Sequence, residues 1–190
     1  MRLKRVMLVA LLGFIVAAPA PARADWFFTP YIGANFAGDA DDTNVNFGGS
    51  LGYMGAGILG FEADFGYAPN FFEDPAAAGF DGNVTSLMAN VILGAPIGGL
   101  GEGVRPYVSG GAGLLRARID DVDDFFDVTD NSFGVNLGGG VMGFLTDNVG
   151  IRGDVRYFRS LQDEASGDDL DLGVGEFDFW RGSFGVAFRF

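Results

Sequence analysis

The chain has 190 residues, 48% of them apolar and only 19% charged, with 32 glycines, no cysteine and no histidine. Glycine at that density weakens helices, and so apolar a chain is no disordered acidic tail, so neither an ordinary helical domain nor a disordered segment fits. Without Cys or His there is no disulfide, thiolate nucleophile, zinc finger or imidazole chemistry, and the length suits one domain or barrel.

Residues 1–24 read as a secretory signal peptide. Arg2, Lys4 and Arg5 precede an apolar run from Val6 to Ala18, and Pro21-Ala22-Arg23-Ala24 supplies the small residues of a cleavage site. That run is too short for a membrane helix, which needs about 20 residues. The mature domain is therefore expected over residues 25–190, with eight Arg, no Lys and 25 Asp plus Glu, a formal charge of −17. Phosphates repel such a surface, so nucleic acid is not an expected partner. No run of 18 apolar residues follows, and an exported, cysteine-free chain fits a bacterial envelope.

In chain order, the recurring period is two, over stretches of about 10 residues. The first strand sets Trp26, Phe28, Pro30, Ile32, Ala34 and Phe36 against Tyr31, Gly33 and Asn35. The second sets Val45, Phe47, Leu51 and Tyr53 against Asn46, Gly48, Ser50 and Gly52. The third, the cleanest, sets Leu59, Phe61, Ala63, Phe65 and Tyr67 against Gly60, Glu62, Asp64 and Gly66. The fourth, Val84 to Ala95, sets Leu87, Ala89, Val91 and Leu93 against Ser86, Met88 and Asn90. In the fifth, Pro106 to Arg118, both faces are small or apolar; placing Arg116 and Arg118 inside turns Tyr107, Leu115 and Ala117 outward. The sixth carries Phe133, Val135, Leu137, Val141 and Leu145 outside and Asn136 inside. The seventh puts Val149, Ile151, Val155 and Tyr157 outside and Arg152, Asp154 and Arg156 inside. The eighth puts Trp180, Phe184, Val186, Phe188 and Phe190 outside, with Arg181, Ser183, Ala187 and Arg189 inside.

Eight strands with short turns at Gly55 to Gly57 and Thr146 to Asn148, and longer polar connections at Gly38 to Asn44, Ala68 to Gly82, Ile119 to Asn131 and Ser160 to Gly175, define an all-β, eight-stranded antiparallel up-and-down transmembrane β-barrel. A soluble barrel would also alternate, but with its apolar set inside. Eight strands leave an interior just wide enough for side chains, and the phenylalanine set would overpack it, whereas the opposite set is mostly small or polar. Large and apolar residues therefore face lipid. Trp26, Tyr53, Tyr67, Tyr157 and Trp180 cluster near strand ends, where aromatic girdles sit.

The opening strand Tyr31-Ile32-Gly33-Ala34-Asn35-Phe36, the segment Pro106-Tyr107-Val108-Ser109-Gly110-Gly111-Ala112-Gly113 and the ending Phe184-Gly185-Val186-Ala187-Phe188-Arg189-Phe190 resemble the small eight-stranded outer-membrane barrels of Gram-negative bacteria, the group of OmpX, the OmpA transmembrane domain and the opacity proteins. The resemblance implies a bacterial outer-membrane location, contact with outer-membrane lipid and a monomer. It also implies that Phe184, Val186, Phe188 and Phe190 form the terminal signal read by the barrel-assembly machinery. The periplasmic peptidoglycan-binding domain of full-length OmpA has no counterpart, so that anchoring role is not implied.

Chemistry is sparse. Gly48-Gly49-Ser50-Leu51-Gly52 matches G-x-S-x-G, yet no His or retained Lys could activate Ser50. Gly55-Ala56-Gly57-Ile58-Leu59-Gly60 matches G-x-G-x-x-G, but no helix follows. Glu62 and Asp64 share a face like a glycosidase pair. They are better read, with Asp154, as partners of Arg116, Arg118, Arg152, Arg156, Arg181 and Arg189 in an ion-pair network of the lumen. No catalytic, cofactor or metal site is expected, and the chain is not read as an enzyme. The long connections hold 17 of the acids and no base, among them Asp120, Asp121, Asp123, Asp124, Asp168, Asp169 and Asp171. They suit a solvated rim, or a divalent-cation bridge to headgroups or a cationic partner, without the EF-hand spacing. The expected role is structural or surface-interactive through these acidic loops, with a lumen filled by side chains; the alternative is a narrow conduit for ions or small hydrophobic molecules.

Overall fold

The computed structural model describes residues 24–38, 40–69, 71, 80–98, 103–121, 128–161 and 177–190. Within them lie eight strands: β1 (Ala24–Gly38), β2 (Ala40–Gly55), β3 (Leu59–Ala68), β4 (Phe80–Gly94), β5 (Gly103–Asp121), β6 (Val128–Phe144), β7 (Val149–Ser160) and β8 (Asp178–Arg189). Each pairs antiparallel with its sequence neighbour, and β8 returns to β1, for example through Ile32 opposite Phe184, to close the barrel. Closure pairs the strand N–H and C=O groups and leaves no open edge, the condition for crossing lipid with strands. The leader expected over residues 1–24 lies outside the described residues, apart from Ala24 at the start of β1.

The alternation in the sequence becomes an inside and an outside. β3 is the plainest case, with every second residue buried along its whole length. Phe28, Ile32, Phe61, Phe65, Leu137 and Phe184 are all exposed on the outer wall, Leu137 by 67%. Two ring pairs sit near opposite ends of that wall: Trp26 against Tyr53, with centroids 5.4 Å apart, and Tyr157 against Trp180, at 5.3 Å. The start of β1 and the end of β8 share one rim with the tight turns after β2 and β6. In the first of these, Ala56 and Gly57 adopt left-handed backbone (φ 50° and 67°), a region open to glycine and costly for most residues. In the second, Thr146 Oγ1 accepts from the Val149 amide at 3.0 Å.

Three expectations need correction. β5 faces the other way: Tyr107, Leu115 and Ala117 are buried inside, Arg116 lies exposed on the outer wall, and Arg118 shares its side. Pairing explains this, since directly opposed residues share a face, and Val108 and Leu114 sit opposite the outward Leu93 and Leu87 of β4. The first connection is not a long loop. β1 and β2 stay paired up to Ala37 opposite Ala40, so Asp41 and Asp42 lie on β2. Likewise Asp120 and Asp121 are on β5 and Asp130 on β6, so these strands continue well past the Tyr157–Trp180 pair. The expected loop residues Asp123, Asp124, Asp168, Asp169 and Asp171 lie outside the described residues.

The interior is also more apolar than small-and-polar patterning suggests, and it is layered. Reading up β7, the inward residues run Arg152, Asp154, Arg156, Phe158; reading down β8, they run Phe179, Arg181, Ser183, Ala187, Arg189. At the loop rim Phe71, Met88, Leu115, Phe158, Phe177 and Phe179 form one apolar cluster. Toward the chain ends Phe27, Met54, Ile92, Met142, Phe144 and Ala187 form a second. Glu62, Asp64, Arg152, Asp154, Arg156 and Arg181 lie between the two.

Candidate functional site

The middle layer gathers side chains from six strands, each placed by the two-residue alternation. Glu62 and Asp64 come from β3, Arg152, Asp154 and Arg156 from β7, Arg181 from β8, Tyr31 from β1, Ser50 from β2 and Tyr107 from β5. Inner-wall glycines make the room. A Cβ on Gly138 would stand 2.8 Å from Arg156 Cγ, and one on Gly140 only 2.7 Å from the Tyr107 hydroxyl. At Gly138 and Gly140 large polar side chains thus lie close against β6.

Three carboxylates meet three guanidiniums, so the layer is formally neutral. Arg156 is the hub and bridges all three acids. Its Nη2 lies 2.8 Å from Glu62 and 3.2 Å from Asp154, and its Nη1 lies 3.8 Å from Asp64. Arg152 donates to Glu62 and to Ser50 Oγ at 3.0 Å, and stands 3.3 Å from Asp154. Arg181 holds Asp64 at 2.7 Å. Neutral groups add further hydrogen bonds. Arg152 Nε donates to the Tyr107 hydroxyl at 2.6 Å, which in turn donates to Asp154 at 2.7 Å; Ser183 adds a bond to Asp154 at 2.9 Å. Asn136 donates to Asn90 at 2.8 Å, and Asn90 donates to Glu62 at 3.3 Å.

Aromatic faces complete the cages. The Arg181 guanidinium sits 4.6 Å from the Phe158 ring and 5.0 Å from Tyr31, and that of Arg152 sits 4.8 Å from Tyr107. Such contacts matter most where water is excluded. Arg152, Arg156 and Arg181 are each at most 3% exposed, and the space beside Thr29, Ser50, Asp64 and Asp154 leaves no room for a water molecule. Taking charges out of water costs several kcal/mol per ion, so a layer like this is tolerable only when matched. The pairs that Arg152, Arg156 and Arg181 make with Glu62 and Asp64 of β3 tie the wall together across the axis, while Asp154 is held by Arg152 and Arg156 of its own strand.

Of the residues expected in this network, Glu62, Asp64, Arg152, Asp154, Arg156 and Arg181 are brought together. Arg116 and Arg118 are on the outer wall. Arg189 belongs to a separate group at the terminal rim, 3.7 Å from Asp25 and 3.9 Å from Asp147, with its guanidinium 4.3 Å from the Phe144 ring. Buried Arg105 faces the other side of that ring at 5.7 Å. Sequence reasoning missed Tyr107 and Arg105; the pairing of β5 with β4 is the signal that finds them. Ser50 lies in mid-strand and accepts from Arg152, unlike a nucleophile on a strand-to-helix turn. Among the described residues no cluster of acids could hold a metal ion. The terminal Phe184, Val186, Phe188 and Phe190 form an exposed outward row at the end of the chain.

An apolar outer wall, two aromatic bands and a matched polar interior define the class: a transmembrane β-barrel of the bacterial outer membrane. The family model for the outer membrane protein beta-barrel domain matches residues 7–190, and the chain belongs to that family. It is 28% identical over 170 residues to the 22 kDa outer membrane protein of Rhizobium leguminosarum bv. viciae, covering 84% of this chain and 74% of that protein. Among solved structures, it resembles the N-terminal β-barrel domain of OprF from Pseudomonas aeruginosa, with 22% identity, TM-score 0.54 and coverage of 89% of this chain and 98% of that one. It also resembles Neisserial surface protein A, with 18% identity, TM-score 0.58 and coverage of 87% and 97%. These two likenesses concern the fold alone.

Proposed function

We propose that the protein serves the outer membrane as a sealed, non-conducting barrel that presents an acidic surface on its loop side, and that it is not an enzyme. The observation that carries this reading is the filled axis: a neutral ion-pair layer held between two apolar layers. An ion entering from either end would meet close-packed phenylalanine and methionine, then arginines already engaged by carboxylates. The chain has no His or Cys, and its one G-x-S-x-G serine is hydrogen-bonded to Arg152 rather than to a base.

Planar-bilayer recording of the purified full chain tests the reading. The expected result is no discrete conductance; stepwise, voltage-persistent currents would overturn it and favour the ion conduit. The outward row Phe184, Val186, Phe188 and Phe190 supports recognition by the assembly machinery. Phe190→Ala is expected to lower the folded fraction in outer membranes, read as heat-modifiable migration on a gel, while in-vitro folding into detergent is unchanged.

A further inference from the structure

Eight arginines follow residue 24, and five of them, Arg105, Arg152, Arg156, Arg181 and Arg189, are buried inside the barrel. Arg152, Arg156 and Arg181 are matched by the carboxylates of the middle layer, and Arg189 by Asp25 and Asp147. Arg105 is different. It is only 4% exposed, yet it makes no ion pair among the described residues. Its Nη1 donates to the Met54 thioether at 3.7 Å, and its guanidinium carbon lies 5.7 Å from the centre of the Phe144 ring. A buried cation without a carboxylate is costly to a fold, so its position needs a reason.

The barrel sets this cation at the terminal rim. Arg105 is the third residue of β5, which starts at that rim, and it points inward. On the axis side stands the apolar layer of Phe27, Met54, Ile92, Met142 and Phe144. The turn after β2 meets the guanidinium with Gly57, which has no side chain to cover it; a Cβ there would stand 3.0 Å from Arg105 Cζ, Nε and Nη2. The same two nitrogens, Nε and Nη2, have no hydrogen-bond acceptor among the described residues. They are nevertheless not sealed away, as the unpartnered Arg152 Nη2 and Arg156 Nε are. Nε and Nη2 form one edge of the guanidinium, and that edge can take two oxygens at once.

We propose that Arg105 is a binding site for the oxyanion of a small soluble molecule, a carboxylate or a phosphate, that enters from the terminal rim. The short turns of such barrels lie on the periplasmic side, so the ligand comes from the periplasm. The apolar and ionic layers beyond Arg105 fill the axis, and the anion binds at the rim without passing through. Ring and thioether neighbours strengthen its hydrogen bonds by lowering the local dielectric. Asp25 and Asp147 both pair with Arg189, which leaves the Arg105 edge to the ligand.

The test uses the full barrel, 15N-labelled, in dodecyl maltoside micelles at constant ionic strength. Inorganic phosphate and acetate are titrated in separate arms, and the arginine Nε–Hε resonances are followed by NMR. The Arg105 resonance is expected to shift saturably with at least one anion while those of Arg152, Arg156 and Arg181 stay in place; the anion that binds more tightly identifies the group. Binding to the folded state also raises the urea midpoint, and this rise should be lost in Arg105→Met, whose affinity should fall about 10- to 150-fold. Heat-modifiable migration establishes that the variant is folded. If it is not, Arg105→Lys serves, with weaker binding expected because an ammonium lacks the two-pronged edge. No saturable shift with either anion, or equal stabilisation of the wild type and folded Arg105→Met, would overturn the proposal. So would an Arg105 resonance displaced by Glu102→Gln with no anion added, since the charge would then belong to a partner within the chain.

Discussion

The arginines inside the barrel and those outside it solve the same electrostatic problem in opposite ways. Arg152, Arg156 and Arg181 are buried, each held by carboxylates of β3, and Arg152 and Arg181 also by ring faces from other strands. Arg116 stands exposed on the outer wall, on the loop side of β5 one outward position beyond Leu114. For an interior charge, atomic matching decides whether it is tolerable; for an exterior one, height along the strand decides. The comparison also explains why the barrel centre can afford six charges while the outer wall between the aromatic bands shows none among the described residues. Across the wall there are only acyl chains, which offer no partner.

The comparison breaks most sharply at Arg156. Removing it leaves Glu62, Asp64 and Asp154 buried with one shared cation fewer, and a broken buried pair costs about 3–5 kcal/mol. Arg156→Ala is therefore expected to lower unfolding free energy by at least that amount, measured by urea titration of the detergent-folded barrel with heat-modifiable migration as the readout. A loss under about 1 kcal/mol would mean the layer is incidental to stability.

Next in size is the Arg152 and Glu62 pair. Each single alanine variant strands the other ion in the buried interior, so both should melt well below the wild type. The double variant should be less damaged than their sum, with a coupling of about 0.5–3 kcal/mol. Additive losses would show that the two act independently. Tyr107→Phe is expected to cost less, about 1–3 kcal/mol, since it withdraws one neutral hydroxyl from Asp154 and Arg152 while keeping the ring. An unchanged midpoint would remove Tyr107 from the network.

How far these contrasts could be read beforehand depends on the strand. β3 alternates between large apolar residues and Gly, Glu, Asp, so its facing, and with it the inward Glu62 and Asp64, is written in the sequence. β7 is equally legible, because Arg152, Asp154 and Arg156 share one parity. β5 is not. Tyr107, Ser109, Leu115 and Ala117 on one side and Val108, Gly110, Leu114 and Arg116 on the other are alike in size and polarity, and charge points the wrong way. The rule that charges turn inward assumes lipid along the whole outer wall, and the 19 residues of β5 exceed the about 9–11 that a strand needs to cross a bilayer. Strand length was the hidden variable. The apolar caps were hidden for a related reason: Phe27, Phe158 and Phe179 are inward residues at strand ends, where the alternation of size reverses as the polar layer gives way.

The smallest expected effect sharpens the contrast best. Arg116→Ala removes a full charge, as Arg156→Ala does, but from a side chain that keeps its contact with solvent in the folded state. No buried ion is left unmatched, so the change should fall within about 0.5 kcal/mol of wild type in neutral detergent. Detergent also removes anionic headgroups, so any larger loss that appears only in bilayers containing phosphorylated lipid would have to come from the membrane surface. The same substitution measured in both environments therefore separates what the fold needs from what the bilayer supplies. A loss of several kcal/mol already in neutral detergent would place Arg116 among the groups that hold the barrel together, and would erase the distinction between inner and outer arginines.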